Sequence, residues 1–218
     1  MKKLIFAFIA TSFLITSCSS EEKKEDKSKE KKEENKESAE SCTYSISPDN
    51  IVVNFTAYKF AEPNKTGVNG KFEEITISGN NQNVDPMMAA TGVQFEIPVA
   101  SVYTGDPARD KKIRESFFGT MMATEKMTGS VRAIEGDQVT IELKMNEITF
   151  DVVATQVIDG ENITLNAEIN TDNWNGQDAI SALNKVCEAN HKSPEGGASV
   201  LWPDVTLKIE GKLIKECK

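Results

Sequence analysis

The sequence predicts an all-β domain, an eight-stranded antiparallel barrel with two short helices. Three observations predict it. From about residue 42 onward, apolar side chains recur at every second position. Clusters of Gly, Asn and Asp separate the runs. A sheet with one apolar face must hide that face, and closing the sheet also removes its exposed edges.

Taken in order, Val53, Phe55 and Ala57 alternate with Asn54, Thr56 and Tyr58. A weaker strand spans 68–77 and is followed by Gly79-Asn80-Asn81. Val93, Phe95, Ile97 and Val99 alternate with Gln94, Glu96, Pro98 and Ala100. Another weak strand spans 127–134 and turns at Glu135-Gly136-Asp137. Val139, Ile141, Leu143 and Met145 make the next apolar face, and a strand over 148–157 follows it. After Asp159-Gly160 come Ile163, Leu165, Ala167 and Ile169, and last Val205, Leu207, Ile209, Gly211 and Leu213. Each run has one apolar and one wet face. Two segments change period. Asp106 before Pro107 reads as a helix cap followed by Pro at the first helical position, with the helix ending near Phe118. Residues 178–192 carry Ile180, Leu183, Val186 and Cys187 at helical spacing, and Pro194 stops them.

An eight-stranded barrel is just wide enough to be filled by side chains or to hold one small ligand. The rival closed structure is an outer-membrane barrel. It needs an apolar exterior with aromatic girdles, and the chain has only three Tyr and two Trp beside a Lys/Glu-rich outer face.

The start of the chain reads differently. Lys2 and Lys3 precede an apolar run from Leu4 to Ile15, too short to span a bilayer as a helix. Leu14-Ile15-Thr16-Ser17-Cys18 closes the run and resembles the lipobox of bacterial lipoproteins. That resemblance implies a signal peptide over 1–17 and a lipidated Cys18. Two or three acyl chains of the palmitate kind there would anchor the protein firmly to a membrane. Residues 21–40 hold nine acids and seven lysines with no aromatic or β-branched residue. Such a segment offers nothing to offset chain entropy by burial, so 18–41 reads as a charged, disordered tether. The acidic patch Ser19-Ser20-Glu21-Glu22 resembles a surface-export signal of some Gram-negative lipoproteins. The expected location is the cell envelope, anchored in the outer membrane and facing either the periplasm or the exterior.

Composition excludes several function classes. The chain has 218 residues, 34 acids against 25 bases and a net charge of -9, which argues against nucleic acid as a partner. A single His leaves no multi-His metal site and weakens His-based catalysis. No phosphate-cradling glycine loop appears. The expectation is a protein that is not an enzyme, with no metal and no catalytic residue. Outside the cytoplasm disulfides persist. With Cys18 lipidated, three cysteines remain: Cys42 pairs with Cys217, or Cys187 is the partner of either.

The central segment Ile97-Pro98-Val99-Ala100-Ser101-Val102-Tyr103-Thr104-Gly105-Asp106-Pro107-Ala108-Arg109-Asp110 resembles the bacterial YceI-like family, whose members carry a strand, a T-G-D-x-x-R-D turn and a helix. Val53-x-Phe55-x-Ala57-x-Lys59-Phe60 followed by Val68-Asn69-Gly70-Lys71-Phe72 is similar to that family's opening, with Lys59 in place of its usual His. The resemblance covers about residues 43–214, and the domain is taken as 42–218. It implies a lipocalin-like barrel whose apolar lumen holds an isoprenoid-type lipid, a quinone or polyprenyl chain. The segment over 178–192 is longer than in simple members and is expected to cap or reshape the mouth.

The residues expected to face that lumen are Val53, Phe55, Phe72, Phe95, Ile97, Ile141, Leu143 and Leu165, joined by Phe117, Phe118 and Met121 after the first helix. Small residues at Ala57, Gly70, Gly129 and Ala167 read as room left for a ligand. Asp106 is expected to cap the helix. Arg109 or Arg114 is expected to pair with a carboxylate and pin the helix to the barrel; the other reading has Arg109, Asp110 and Arg114 holding a ligand head group at the mouth. Two functions follow. One is a membrane-tethered lipoprotein that stores or transports an isoprenoid-type lipid. The alternative is a non-enzymatic interaction or structural lipoprotein of the envelope with a side-chain-filled barrel.

Overall fold

The computed structural model describes residues 41–218. The expected leader, the lipidated Cys18 and all of the tether but Ser41 lie outside the described residues. Eleven strands form one antiparallel sheet. They are β1 (Cys42–Ile46), β2 (Val52–Lys59), β3 (Thr66–Phe72), β4 (Thr76–Ser78), β5 (Gln94–Pro98), β6 (Val102–Tyr103), β7 (Lys126–Glu135), β8 (Gln138–Met145), β9 (Ile148–Asp159), β10 (Asn162–Asn170) and β11 (Leu201–Cys217). The ladder runs β4-β5-β7-β8-β9-β10-β11-β2-β3-β6, with β1 attached to the end of β11.

This corrects the expected closed, eight-stranded barrel in two respects. The sheet is curled but its hydrogen-bonded ladder is open, a half-barrel ending on β4 and β6. The chain runs from β3 into β4, and β5 reaches Pro98, turns through Val99–Ser101 and re-emerges as β6 against β3. A bond from the Glu73 N–H to the Ser101 carbonyl at 3.0 Å bridges the gap between the two pairs. The pairing of β5 with β7 runs to Pro98 opposite Lys126, the first residue of β7, and one further bond follows from the Val99 N–H to the Glu125 carbonyl at 3.0 Å. The run expected over 68–77 is split at 73–75 into β3 and the three-residue β4, and the other additional strands are β1 and β6, of five and two residues. Such short runs carry too few alternations for period 2 to register. The eight longer runs lie where the pattern puts them.

The long strand β11 does double duty. Its first part pairs with β2 and β10, and its last five residues pair with β1. A register shift between Leu201 and Val205 falls at Trp202-Pro203-Asp204, as expected where a proline interrupts a strand. Cys42 and Cys217 face each other in that terminal ladder and their sulfurs are bonded, while Cys187 is free and buried. In the chain-entropy model a loop of 175 residues makes this crosslink worth about 5 kcal/mol.

Helix α1 (Pro107–Lys112) starts as read, with the Asp106 carboxylate accepting from the N–H groups of Ala108 and Arg109. It widens into a π-turn over Ile113–Phe117 and tightens over Phe118–Thr120. The segment expected as one helix over 178–192 is two: α2 (Gln177–Val186) and α3 (Glu188–His191), broken at Cys187. Both stop before Pro194. Contacts of α2 with the π-turn and with β11 place these helices over one end of the curled sheet, the mouth.

Candidate functional site

The inward faces of the strands enclose space rather than filling it. A cavity of about 160 Å³ runs under the helices and is walled by apolar side chains from nearly every strand. Val53, Phe55, Phe72, Phe95, Ile97, Ile141 and Leu143 stand on its wall, with Phe117 and Phe118 from the turns after α1. Thr171 and Trp202 are the wall residues whose side chains carry a polar atom. A second cavity of about 90 Å³ continues toward the far end, between Ile46, Ile51, Ile163 and Leu165. Val53, Phe95, Ile97, Ile141 and Ile209 line both and form a waist between them. Leu165 therefore belongs to the far chamber, not the main one. Met121 is buried but faces neither chamber, and its neighbour Met122 is exposed.

Two of the small residues do a different job from the one expected. Gly70 sits opposite Phe55 and Gly129 opposite Phe95 in the ladders. A side chain at either glycine would collide with the partner's ring, and at Gly129 also with the Glu142 carbonyl. The glycines let each ring lie flat on the neighbouring strand, which keeps the rings out of the lumen. Ala57 and Ala167 do line the cavity.

Other wall residues were visible as apolar alternation but not singled out. Val205, Leu207 and Ile209 come from β11, Met145 from β8, Val152 from β9, and Ile180 and Leu183 from α2. Period 2 along β11 and period 3.6 along α2 carried that signal. Thr171 carried none. Its hydroxyl is buried without a hydrogen-bond partner.

Trp202 combines packing and lining. Its indole N–H donates to the Phe60 carbonyl at 2.8 Å while its ring reaches the cavity. Trp174 is fully buried, donates to the Leu143 carbonyl at 3.0 Å and meets Phe150 edge-on. Asn146 ties this region to the turn after α1, donating to the Trp174 carbonyl and accepting from the Met122 N–H.

Above the lumen lies a polar vestibule of about 370 Å³. It shares Phe55, Ala57, Ile113, Leu183 and Leu201 with the main cavity. Lys59 from β2, Asp106, Arg109 and Lys112 from the start and body of α1, and His191 and Lys192 from the end of α3 and beyond complete it. His191 is largely buried, and its Nδ1 lies 2.8 Å from Asn184 Oδ1. Burial first, then the charges of Lys59 and Lys112, push its pKa down to about 4.

The turn 104–110 explains the motif that singled it out. Gly105 has φ +76, a conformation that L side chains rarely adopt. Asp110 is buried and accepts from both the N–H and the hydroxyl of Thr104. Arg109 donates from Nε to the Thr104 hydroxyl at 2.8 Å and from its terminal nitrogen to the Thr104 carbonyl at 3.1 Å. The expected carboxylate partner of Arg109 is thus a threonine. Arg114 has no carboxylate within 4.0 Å among the described residues. The turn locks helix to strand through Thr104, which donates to the Asp110 carboxylate and accepts from Arg109.

Comparison with known proteins agrees with this architecture. The model of the YceI-like domain matches residues 44–213. A solved polyisoprenoid binding domain from Saccharophagus degradans, implicated in plant cell wall breakdown, superposes with a TM-score of 0.54 at 14% identity. The match covers 83% of this chain and 100% of that one. BcnA of Burkholderia cenocepacia gives 0.49 at 18% identity, covering 78% of this chain and 99% of its own. A YCEI protein of Campylobacter jejuni gives 0.45 at 17%, covering 73% and 90%. A search of the curated proteins finds none that matches.

Proposed function

Because the chain belongs to the YceI-like domain family, we propose that it is a lipid-binding protein that holds an isoprenoid-type lipid, a quinone or polyprenyl chain, in its lumen for storage or transport. One observation carries the reading: the continuous apolar wall encloses an unfilled cavity of about 160 Å³. An apolar void of that size costs on the order of 4 kcal/mol when nothing fills it. Each methylene buried in it contributes about 0.8 kcal/mol. Polyisoprenoid binding by the Saccharophagus domain supports the choice of ligand. The rings of Phe55 and Phe95, laid over glycines, support it too, because they leave the interior open to a chain.

The wider reading adds a tether. Acyl chains on Cys18 hold the protein to the membrane, and the charged segment after it spaces the domain from the surface. The setting is the cell envelope, with the protein anchored in the outer membrane and facing the periplasm or the exterior. Replacing Cys18 by Ser should release the protein from the membrane fraction and abolish palmitate labelling. Retention of both would sink the tether.

Native mass spectrometry of the full chain, isolated from bacterial membranes, tests the lipid. The expected spectrum shows an adduct that extracts as a prenylated lipid and is lost when Phe95 and Leu143 are both replaced by Trp. An apo mass, with no uptake of added quinone or polyprenyl compound, would overturn the proposal.

A further inference from the structure

The segment 187–200 joins α2 to β11, and its first residues, from Cys187 to Lys192, line the vestibule above the lumen. Between 188 and 198, His191 is the one buried residue. A stretch with so little apolar burial opens readily unless specific bonds hold it. Those bonds converge on one amide. Asn184 of α2 donates from Nδ2 to the Ser199 carbonyl at 3.0 Å and accepts at Oδ1 from the Ser199 hydroxyl at 2.8 Å. His191 Nδ1 lies 2.8 Å from the same Oδ1. The Val200 N–H donates to the His191 carbonyl at 3.1 Å. A hinge stands on each side of His191. The helix breaks at Cys187, with φ -113 and ψ 14, and Gly196 and Gly197 have φ +89 and +112.

This bonding fixes the tautomer of the ring. Asn184 Nδ2 is turned to a carbonyl, so Oδ1 faces the imidazole and Nδ1 carries the proton. The neutral ring keeps its lone pair on Nε2, the atom that an added proton would take. The surroundings oppose that proton. The charged and titratable groups that share the chamber with His191 are Lys59 from β2, Asp106, Arg109 and Lys112 from α1 and its cap, and Cys187 and Lys192 from its own segment. The Asp106 carboxylate is taken up by the start of α1, and Glu188 pairs with Lys192 at 2.7 Å. Among the described residues, no carboxylate lies within 4.0 Å of His191. Burial first, then Lys59 and Lys112, keep the ring neutral down to about pH 4. A ring that swings out into water regains its ordinary value of 6.5.

We propose that Asn184, His191 and Ser199 form an acid-sensitive latch, which holds the segment 187–200 over the mouth at neutral pH and releases it on acidification. The closed form binds fewer protons at His191 than the open form, so each added proton favours opening. The effect begins below pH 6.5 and grows until about pH 4. Its full extent is a roughly 300-fold shift toward the open form, less the part that salt screens from Lys59 and Lys112. The latch needs no particular occupant of the lumen, because it is built from the cap alone. Cys187, free and buried at one hinge, reports its opening.

Hydrogen exchange of the full chain, read by peptide and corrected for the intrinsic rate at each pH, tests the latch. Labelling of Cys187 by dithiodipyridine, relative to its rate in the unfolded chain, gives a second readout. Between about pH 7 and about pH 4.5, protection over 187–200 should fall roughly 50-fold, and Cys187 labelling should rise in step. Strands β8 and β9 should stay protected. His191→Asn offers an amide N–H to Asn184 but cannot titrate, so its cap should stay closed at both pH values. Lys112→Gln leaves every latch bond in place and removes one repelling charge, so the acid response should shrink about twofold or more. An acid response in His191→Asn equal to that of wild type overturns the latch. So does acid-driven exchange that rises equally in β8 and β9, which is global unfolding, or a cap whose exchange and labelling do not change with pH.

Discussion

At the far end of the curled sheet, β1 is bonded to the tail of β11 through Cys42 and Cys217, and Ile46, Ile51, Ile163 and Leu165 close round a small chamber. At the mouth, three helices lie over a larger chamber, and charged groups from β2, α1 and the end of α3 stand above it. The far end spends its interactions on closure: strand ladders, a crosslink and apolar packing. The mouth leaves Lys59, Arg109 and Lys112 without carboxylate partners among the described residues. Unpartnered polar groups are costly in a sealed interior and tolerable where a ligand or water reaches them. On the proposed lipid reading, the ligand would enter at the mouth and its tail would stop against the far end.

The comparison can be broken first at the crosslink. Cys42→Ser with Cys217→Ser should lower stability by up to about 5 kcal/mol in denaturant titrations. Amide exchange should rise in β1 and the tail of β11 but not in α2. Faster exchange over the helices would show that the two ends are not independent. Trp174→Ala attacks the mouth instead. It empties a fully buried site and removes the donor to the Leu143 carbonyl, a loss of about 4 kcal/mol. A change under about 1 kcal/mol would mean the helices do not rest on this anchor.

Gly129→Ala probes the waist. The added methyl meets the Glu142 carbonyl and the Phe95 ring, so about 2 kcal/mol should be lost, with Phe95 pushed into the lumen and lipid affinity reduced. Normal affinity in a destabilised variant would show that the ring position does not control the cavity.

The smallest effect is in the pH profile. His191 is held below its ordinary value of about 6.5. The folded state therefore refuses a proton that the unfolded chain accepts. Stability from this group is complete above pH 6.5, declines as pH falls toward 4, and levels off below. The groups around the ring are Lys59 from β2, Lys112 and Arg109 from α1, Asn184 from α2, and Glu188 and Lys192 beside it. Allowing for solvent screening, the loss should be about 1–2 kcal/mol, read as a steeper acid limb in wild type than in His191→Asn. Parallel limbs would place the titration elsewhere.

Much of the lumen was legible because its signal is local. Phe55 and Val53 face inward for the same reason that Asn54 does not, and a strand's alternation states that without knowing its neighbours. Leu165 and Met121 show the limit. Period places a side chain on the inner face but not along the barrel axis, so Leu165 falls in the far chamber and Met121 in solid core. Gly70 and Gly129 show another. Their smallness was plain, but the use of the space depends on which ring lies opposite, a matter of register.

The sequence by itself determined the β architecture, the start of α1 at Asp106 and Pro107, and the apolar lining, because each rests on neighbours in the chain. Only the tertiary structure decided that the ladder stays open at Pro98, that Cys42 takes Cys217 and leaves Cys187 free, and that Lys59, Lys112 and His191 meet in one chamber. Those outcomes join residues far apart in sequence. Their positions follow from the curl of the sheet and from the register of β11, which no local pattern encodes.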